Sequence, residues 1–194
     1  DAAIIFSDIL MVPYGLGQEV TFKKNFGPKL NSLNLEIINE VKDSEFSKKL
    51  LPVYKSIKKV SKNKLVKRKD LIGFVGAPWT LLVYMINKRS PKLKLMDNFF
   101  SDKSLIKEIL NILDKFLKIH IKHQIDSGAQ IIQIFDSWAG LLNENDLSKY
   151  SYNPTLSLVE FTKSLNVPVI CFPRGIKNYK DYCEIIKPDT ICID

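Results

Sequence analysis

Ile4-Ile5-Phe6-Ser7-Asp8-Ile9-Leu10 places one acid directly behind a run of β-formers, Ala2 to Phe6, with apolar residues resuming at once through Val12. An ionised carboxylate away from water costs several kcal/mol or more unless it is paired. A chain that keeps one in such a setting keeps it for a partner, and a ligand is one candidate. Two more stretches have the same form. Leu71-Ile72-Gly73-Phe74-Val75 runs into Gly76-Ala77-Pro78-Trp79, and Ile131-Ile132-Gln133-Ile134-Phe135 runs into Asp136-Ser137-Trp138-Ala139-Gly140. Each is a strand-like segment that delivers polar groups, glycine or tryptophan at its C-terminal end.

Working outward, strands are predicted over Ala2–Phe6, Leu71–Val75, Ala129–Phe135, Val167–Phe172 and Thr190–Ile193. Helical patterns fill the gaps. Pro52–Lys62 carries Val53, Ile57 and Val60 at helical spacing, and Pro78 opens Pro78–Ile86 as a first-turn proline. Asp102–Asp126 places Leu105, Ile109, Ile112, Phe116 and Ile119 along one side. Asn145 or Asp146 caps a helix into Tyr150, and Pro154–Ser164 continues the series. Near-continuous Ile/Val/Phe strands suit a parallel sheet covered on both faces. The alternation therefore predicts an α/β fold, a barrel or an open doubly wound sheet. One excursion breaks the rhythm. Pro13-Tyr14-Gly15-Leu16-Gly17 is turn-rich, Glu19–Lys23 alternates like a short strand, and Gly27-Pro28 turns again. Long excursions at strand C-termini are where such folds place binding sites.

Size and composition narrow the class. At 194 residues the chain is one domain in length, and 45% hydrophobic content supports a real core. No run approaches the ~18 apolar residues of a membrane span. Cys171, Cys183 and Cys192 are odd in number and widely spaced, which fits neither a disulfide framework nor a C-x-x-C metal knuckle and points to a reducing compartment. The formal charge is +8 and nearly all lysine, since only Arg68, Arg89 and Arg174 are arginines. The densest stretch, Lys58 to Lys69 including Lys67, lacks interleaved aromatics and any nucleic-acid motif, so it reads as a solvated surface. A polyanionic small substrate would still be drawn by the net positive field. The sequence opens on strand residues at Asp1 and closes on them at Asp194, which predicts an internal piece of a longer protein.

Four motifs, in order and at plausible spacing, resemble uroporphyrinogen decarboxylase. They are Asp1-Ala-Ala-Ile-Ile-Phe-Ser-Asp-Ile-Leu10; Leu16-Gly-Gln-Glu-Val-Thr-Phe22 with Gly27-Pro28; Gly73-Phe-Val-Gly-Ala-Pro-Trp-Thr-Leu81 with Tyr84-Met85; and Gln133-Ile-Phe-Asp-Ser-Trp-Ala-Gly140. The resemblance implies a (β/α)8 TIM barrel of which about five strands are present, so that residues 1–194 form part of a single domain. It implies a cofactor-free decarboxylase of haem and porphyrin biosynthesis, cytoplasmic and homodimeric, with neither nucleic acid nor membrane as partner. Its substrate would be uroporphyrinogen III, converted to coproporphyrinogen III by loss of CO2 from four acetate side chains. By the same resemblance, Asp8 matches the acid that contacts the pyrrole N–H groups. Tyr84 matches the tyrosine that reaches a substrate carboxylate, and Ser137 the hydroxyl across the pocket. Arg174 falls where relatives carry lysine and is a further substrate-binding candidate. The family's Arg-Gln-Ala-Gly-Arg segment would lie upstream of Asp1 and its Gly-His-Gly loop beyond Asp194, so residues 1–194 alone are expected to be inactive. Asn87-Lys88-Arg89-Ser90 departs from the usual acidic, glycine-rich run, which bears on local loop shape.

Structural readings stand beside these. Asp8 is also a natural helix cap, Tyr84 a half-buried packing residue, and Asp136 and Ser137 turn-capping groups. Trp79 and Trp138 read as core or pocket wall. His120, His123 and Asp126 are spaced for a metal face, yet three polar residues on a helix's solvent side explain them better. A zinc-dependent methyltransferase of corrinoid or thiol substrates is the alternative reading of the same barrel type. It uses a His-x-Cys pair at a strand end, where this chain has Cys171-Phe-Pro-Arg174. A non-catalytic tetrapyrrole binder is a third.

Overall fold

Five strands form one sheet in the order β1 (Ala2–Ile4), β4 (Asp70–Gly76), β5 (Ile131–Asp136), β6 (Val169–Pro173) and β7 (Thr190–Ile191). Every neighbouring pair is parallel, with Ile72 opposite Ile131, Gly76 opposite Phe135 and Asp136 opposite Pro173. The computed structural model describes residues 2–24, 27–66, 68–91 and 94–194; Asp1 and Lys67, both used in reading the sequence, lie outside the described residues. Spatial order follows chain order without the reversal that defines a doubly wound sheet. Of the two α/β architectures the sequence allowed, the strands thus follow the singly wound path.

The crossovers explain how. α3 (Asp43–Ser61), α5 (Lys103–Asp126), α7 (Asn153–Ser164) and α8 (Tyr179–Ile186) follow one another around the sheet, with α3 packed on α5, α5 on α7 and α7 on α8. They form a single layer. Ile132, Ile134, Val169 and Cys171 are buried, whereas the alternate residues Ile131, Gln133, Phe135, Ile170 and Phe172 are only half-buried. The expectation of cover on both faces is therefore corrected. On that second side a row of aromatic rings crosses the sheet, Phe6 on Phe74 at 5.2 Å, Phe74 on Phe135 at 5.6 Å and Phe135 on Phe172 at 6.1 Å between centroids.

Local chemistry fixes the helix ends. α4 (Pro78–Asn87) begins with proline at its first position, after Ala77 in the extended conformation that a following proline imposes. Asp102 caps α5 by accepting from Leu105 N at 2.9 Å. α3 does not start at Pro52; it runs from Asp43 straight through that residue, although an interior proline removes one helical hydrogen bond. The core face decides the matter, since Phe46, Leu50, Val53, Tyr54 and Ile57 are buried on both sides of Pro52. Asn143, rather than Asn145 or Asp146, caps α6 (Glu144–Leu147), which passes into a π-helical turn at Ser148–Tyr152. The Pro13 segment is a short helix, α1 (Met11–Gly15), and Gly27-Pro28 belongs to a strand, β3 (Gly27–Leu30), antiparallel to β2 (Val20–Lys23). α2 (Leu35–Glu40) follows. Lys58, Lys59, Lys62, Lys64, Arg68 and Lys69 around the end of α3 are exposed, as a solvated surface requires.

Candidate active site

Because the strands are parallel, the segments after β1, β4, β5 and β6 emerge at one edge of the sheet, where folds of this kind assemble their chemistry. Asp8 stands four residues beyond β1. Its backbone is left-handed, with φ of 72°, a conformation that Asp tolerates better than most residues. Its Oδ1 accepts from Leu10 N at 2.8 Å just before α1. The helix-cap reading is corrected: the N-cap of α1 is Leu10 with no side-chain bond, and Asp8 instead closes the turn before it, which uses one carboxylate oxygen and fixes where the group points.

Tyr84 is half-buried on α4, and its ring meets the Trp138 indole at 6.0 Å and 63°. Burial pushes the phenol pKa up. Polar contacts with Trp138 and Ser90 pull it back, and the negative charge of Asp8 raises it further. The Trp138 Nε1–H is buried and stands close to the Tyr84 hydroxyl without the geometry of a full hydrogen bond. Asp8, Tyr84 and Trp138 therefore share one environment. Ser137 comes to the same edge through the backbone, half-buried between Asp136 and Trp138. Arg174 joins it only by its main chain, which accepts from Gly140 N at 3.0 Å and donates to Asp136 O at 3.0 Å. Its exposed side chain turns instead toward Asp194, with Nε 3.9 Å from a carboxylate oxygen.

A buried carboxylate lies beneath this edge. Asp136 is 1% exposed, accepting from Thr80 Oγ1 at 2.8 Å and Ser151 Oγ at 2.6 Å. Burial raises its pKa to about 6, against the opposing pull of those hydroxyls and the Trp138 N–H. Trp79 is fully buried and donates from Nε1 to Trp138 O at 2.8 Å, so it is core that also braces the turn. A structural role is what the sequence favours for Asp136, and its partners Thr80 and Ser151 are too distant in the chain for any local pattern to pair them with it.

The histidines correct the sequence reading. His120 and His123 do not lie on a solvent side. His120 is 2% exposed and pairs through Nδ1 with Tyr54 Oη at 3.0 Å; His123 Nε2 lies 3.0 Å from Ser47 Oγ. Among the described residues no group of three His, Cys, Asp or Glu side chains is placed to hold a metal ion. Two cavities lie elsewhere, one of about 940 Å3 beside Gln18, Asn31 and Asn34, the other of about 690 Å3 between α3, α5 and α7. Neither includes Asp8, Tyr84, Ser137 or Arg174.

The sequence model of the family described as Uroporphyrinogen decarboxylase (URO-D) matches residues 1–194. The chain belongs to the uroporphyrinogen decarboxylase family. It is 41% identical over 199 residues to the uroporphyrinogen decarboxylase of Rickettsia bellii, covering 100% of this chain and 58% of that protein. It is 42% identical over 189 residues to the uroporphyrinogen decarboxylase of Campylobacter jejuni, covering 93% of this chain and 55% of that protein. The chain thus spans a little over half the length of these uroporphyrinogen decarboxylases. A methyltransferase from Methanosarcina mazei shares the fold, with a TM-score of 0.71 over 99% of this chain and 64% of the other, at 15% identity. No helix among the described residues is long and apolar enough to cross a membrane.

Proposed function

We propose that this chain forms part of a uroporphyrinogen decarboxylase, folded as part of a (β/α)8 barrel within a single domain, and that Asp8 is its catalytic carboxylate. One observation carries the reading: in a member of this family, Asp8 is held by its own turn at the C-terminal edge of the parallel sheet, within electrostatic reach of Tyr84. Decarboxylating a pyrrole acetate needs an electron sink. Protonation of the pyrrole ring supplies one as a cationic intermediate. The bond to the carboxylate then breaks, its electron pair flows into the ring, CO2 leaves, a proton adds to the exocyclic methylene to make the new methyl group, and the ring gives up the proton it had taken. No metal or organic cofactor enters this scheme. A fixed carboxylate under the pyrrole nitrogens accepts their N–H groups and stabilises the cation, and preorganised charge of this kind is often the largest catalytic contribution. Tyr84 and Ser137 orient substrate carboxylates or a ring edge. Arg174 adds counter-charge once its loose pair with Asp194 opens. The substrate is uroporphyrinogen III and the product coproporphyrinogen III, made by a cytoplasmic homodimer without nucleic acid or membrane as partner.

The test is turnover of uroporphyrinogen III by the protein as produced from its gene, in the presence of a chelator and alongside zinc analysis. Coproporphyrinogen formation is expected. Stoichiometric zinc together with methyl transfer to a thiol and no decarboxylation would overturn the reading in favour of the methyltransferase.

A further inference from the structure

We infer that Asp136 is a positioning residue of this site, its carboxylate locking the Ser137–Trp138 turn to the first turn of α4 and so to Tyr84. The inference rests on the site proposed above and names the device that holds it together. Thr80 Oγ1 is the joint: it donates to Asp136 Oδ1 at 2.8 Å and accepts from Trp138 N at 3.2 Å. Thr80 lies one helical turn before Tyr84, so the two side chains share a face of α4. On the other side, Ser151 donates to Oδ2 at 2.6 Å, and the Asp136 carbonyl accepts from Arg174 N at 3.0 Å. One buried acid thereby links the segments that carry Tyr84, Ser137 and Arg174.

The hydrogen count makes this device sensitive to pH. An ionised Asp136 offers two acceptor oxygens to two hydroxyl donors. A protonated one carries a donor of its own, so either Thr80 or Ser151 must turn its hydroxyl elsewhere. If Thr80 turns, its oxygen accepts the Asp136 proton as well as the Trp138 N–H, so the hydroxyl dipole at the Trp138 turn reorients as the negative charge beside it disappears. The group is poised for this because burial places its pKa at about 6. The titratable groups that face it are Tyr152 on the π-helical turn, Cys171 on β6 and Tyr182 on α8. All three are shifted upward by burial, Cys171 to about 12, and stay neutral where Asp136 titrates. Asp136 is therefore the group of this cluster that changes charge between pH 5 and 8.

Trp79 and Trp138, the two tryptophans of this sequence, both hydrogen-bond within the cluster, which provides a readout independent of activity. The experiment labels the protein, as produced from its gene, with 5-fluorotryptophan and follows the 19F resonances through pH 5–8, assigning Trp79 and Trp138 by Trp→Phe substitution. Asp136→Asn, an uncharged isostere, is compared with wild type. In wild type the Trp138 resonance should titrate with a midpoint near the pKa of Asp136. In Asp136→Asn it should stay fixed at the wild-type low-pH position. Ser151→Ala, which removes a donor from the carboxylate, should move the midpoint upward and covers the case in which Asp136→Asn fails to fold. For uroporphyrinogen turnover, kcat of Asp136→Asn should fall roughly ten- to a hundredfold at pH 8, as for a misplaced site, and lose the acid limb of its pH profile. An identical Trp138 titration in Asp136→Asn, or an unshifted midpoint in Ser151→Ala, overturns the inference. Absence of turnover in wild type would instead remove the decarboxylase reading and leave the 19F titration to decide the role of Asp136.

Discussion

Asp8 and Tyr84 share an environment, yet replacing one removes a charge and replacing the other removes only a hydroxyl. Tyr84→Phe keeps the ring packed against Trp138 and should act mainly on apparent KM, by the several-fold that corresponds to about 1 kcal/mol for one lost hydrogen bond. Steady-state kinetics on uroporphyrinogen III check this; a loss exceeding that of Asp8→Asn would reverse the two roles. His120 governs a different property. Burial, and then the proximity of His123, lowers its pKa from 6.5 to about 3. Below pH 6.5 the unfolded chain takes up a proton that the folded chain refuses until pH reaches about 3. This contribution to stability is therefore complete above 6.5, is lost progressively between 6.5 and 3, and is on the order of several kcal/mol. Asp136 acts in the opposite sense: its raised pKa favours the folded state below about 6, which partly offsets His120. Thermal melts of His120→Gln against wild type from pH 7 to 4 should show a shallower decline in the variant, and parallel curves would contradict the assignment. Asp8 was legible because an acid directly after a β-run stands out in any reading. His120 was not, because α5 is covered by α3, α4 and α7 and its buried stripe is broad, running through Leu113, Phe116, Leu117, His120, Ile121 and Gln124. The polar members of that stripe are satisfied by chain-distant partners: Gln124 holds the Phe74 N–H and carbonyl, each at 3.1 Å, and His120 holds Tyr54.

Among the elements, those with long apolar periodicity were read correctly in kind. β4, β5, β6, α4, α5 and α7 lie where their patterns place them, with ends shifted by a few residues. The misreadings have local causes. α2 and α8 are too short for periodicity to stand out; what marks them is an asparagine cap, Asn34 accepting from Ile37 N at 3.3 Å and Asn178 from Asp181 N at 3.1 Å. Gly27-Pro28 reads as a turn by composition, yet in a two-stranded hairpin each strand is an edge, where proline is tolerated. The π-helical turn at Ser148–Tyr152 has no sequence signature, although it carries Ser151 to Asp136. Elsewhere, two loops meet at a contact that a glycine makes possible. A Cβ on Gly140 would stand 2.5 Å from the Gly175 carbonyl oxygen, a backbone atom beside Arg174. Gly140→Ala should push the loops after β5 and β6 apart, cost about 1–3 kcal/mol as overpacking does, and lower Tm by several degrees. A calorimetric scan matching wild type would mean that the contact is slack.

In the whole molecule, winding and placement act together. Five parallel strands in chain order bring Asp8, the Trp79 turn, Ser137 and Arg174 to one edge, and a single helical layer fills the other side with the core. The α/β class was legible from alternation alone, but the choice between barrel-like and doubly wound order was not, because strand order is set by crossover packing that no local pattern encodes. Whether Asp8 is the catalytic carboxylate of a uroporphyrinogen decarboxylase can be decided by one comparison. The most direct measurement incubates wild type and Asp8→Asn, as produced from the gene, with uroporphyrinogen III under anaerobic, chelated conditions and separates the products by carboxylate number. The account predicts stepwise conversion to the four-carboxylate product by wild type, and at least ~100-fold slower conversion by a folded Asp8→Asn. Near-normal conversion by Asp8→Asn, or none by wild type, would contradict it.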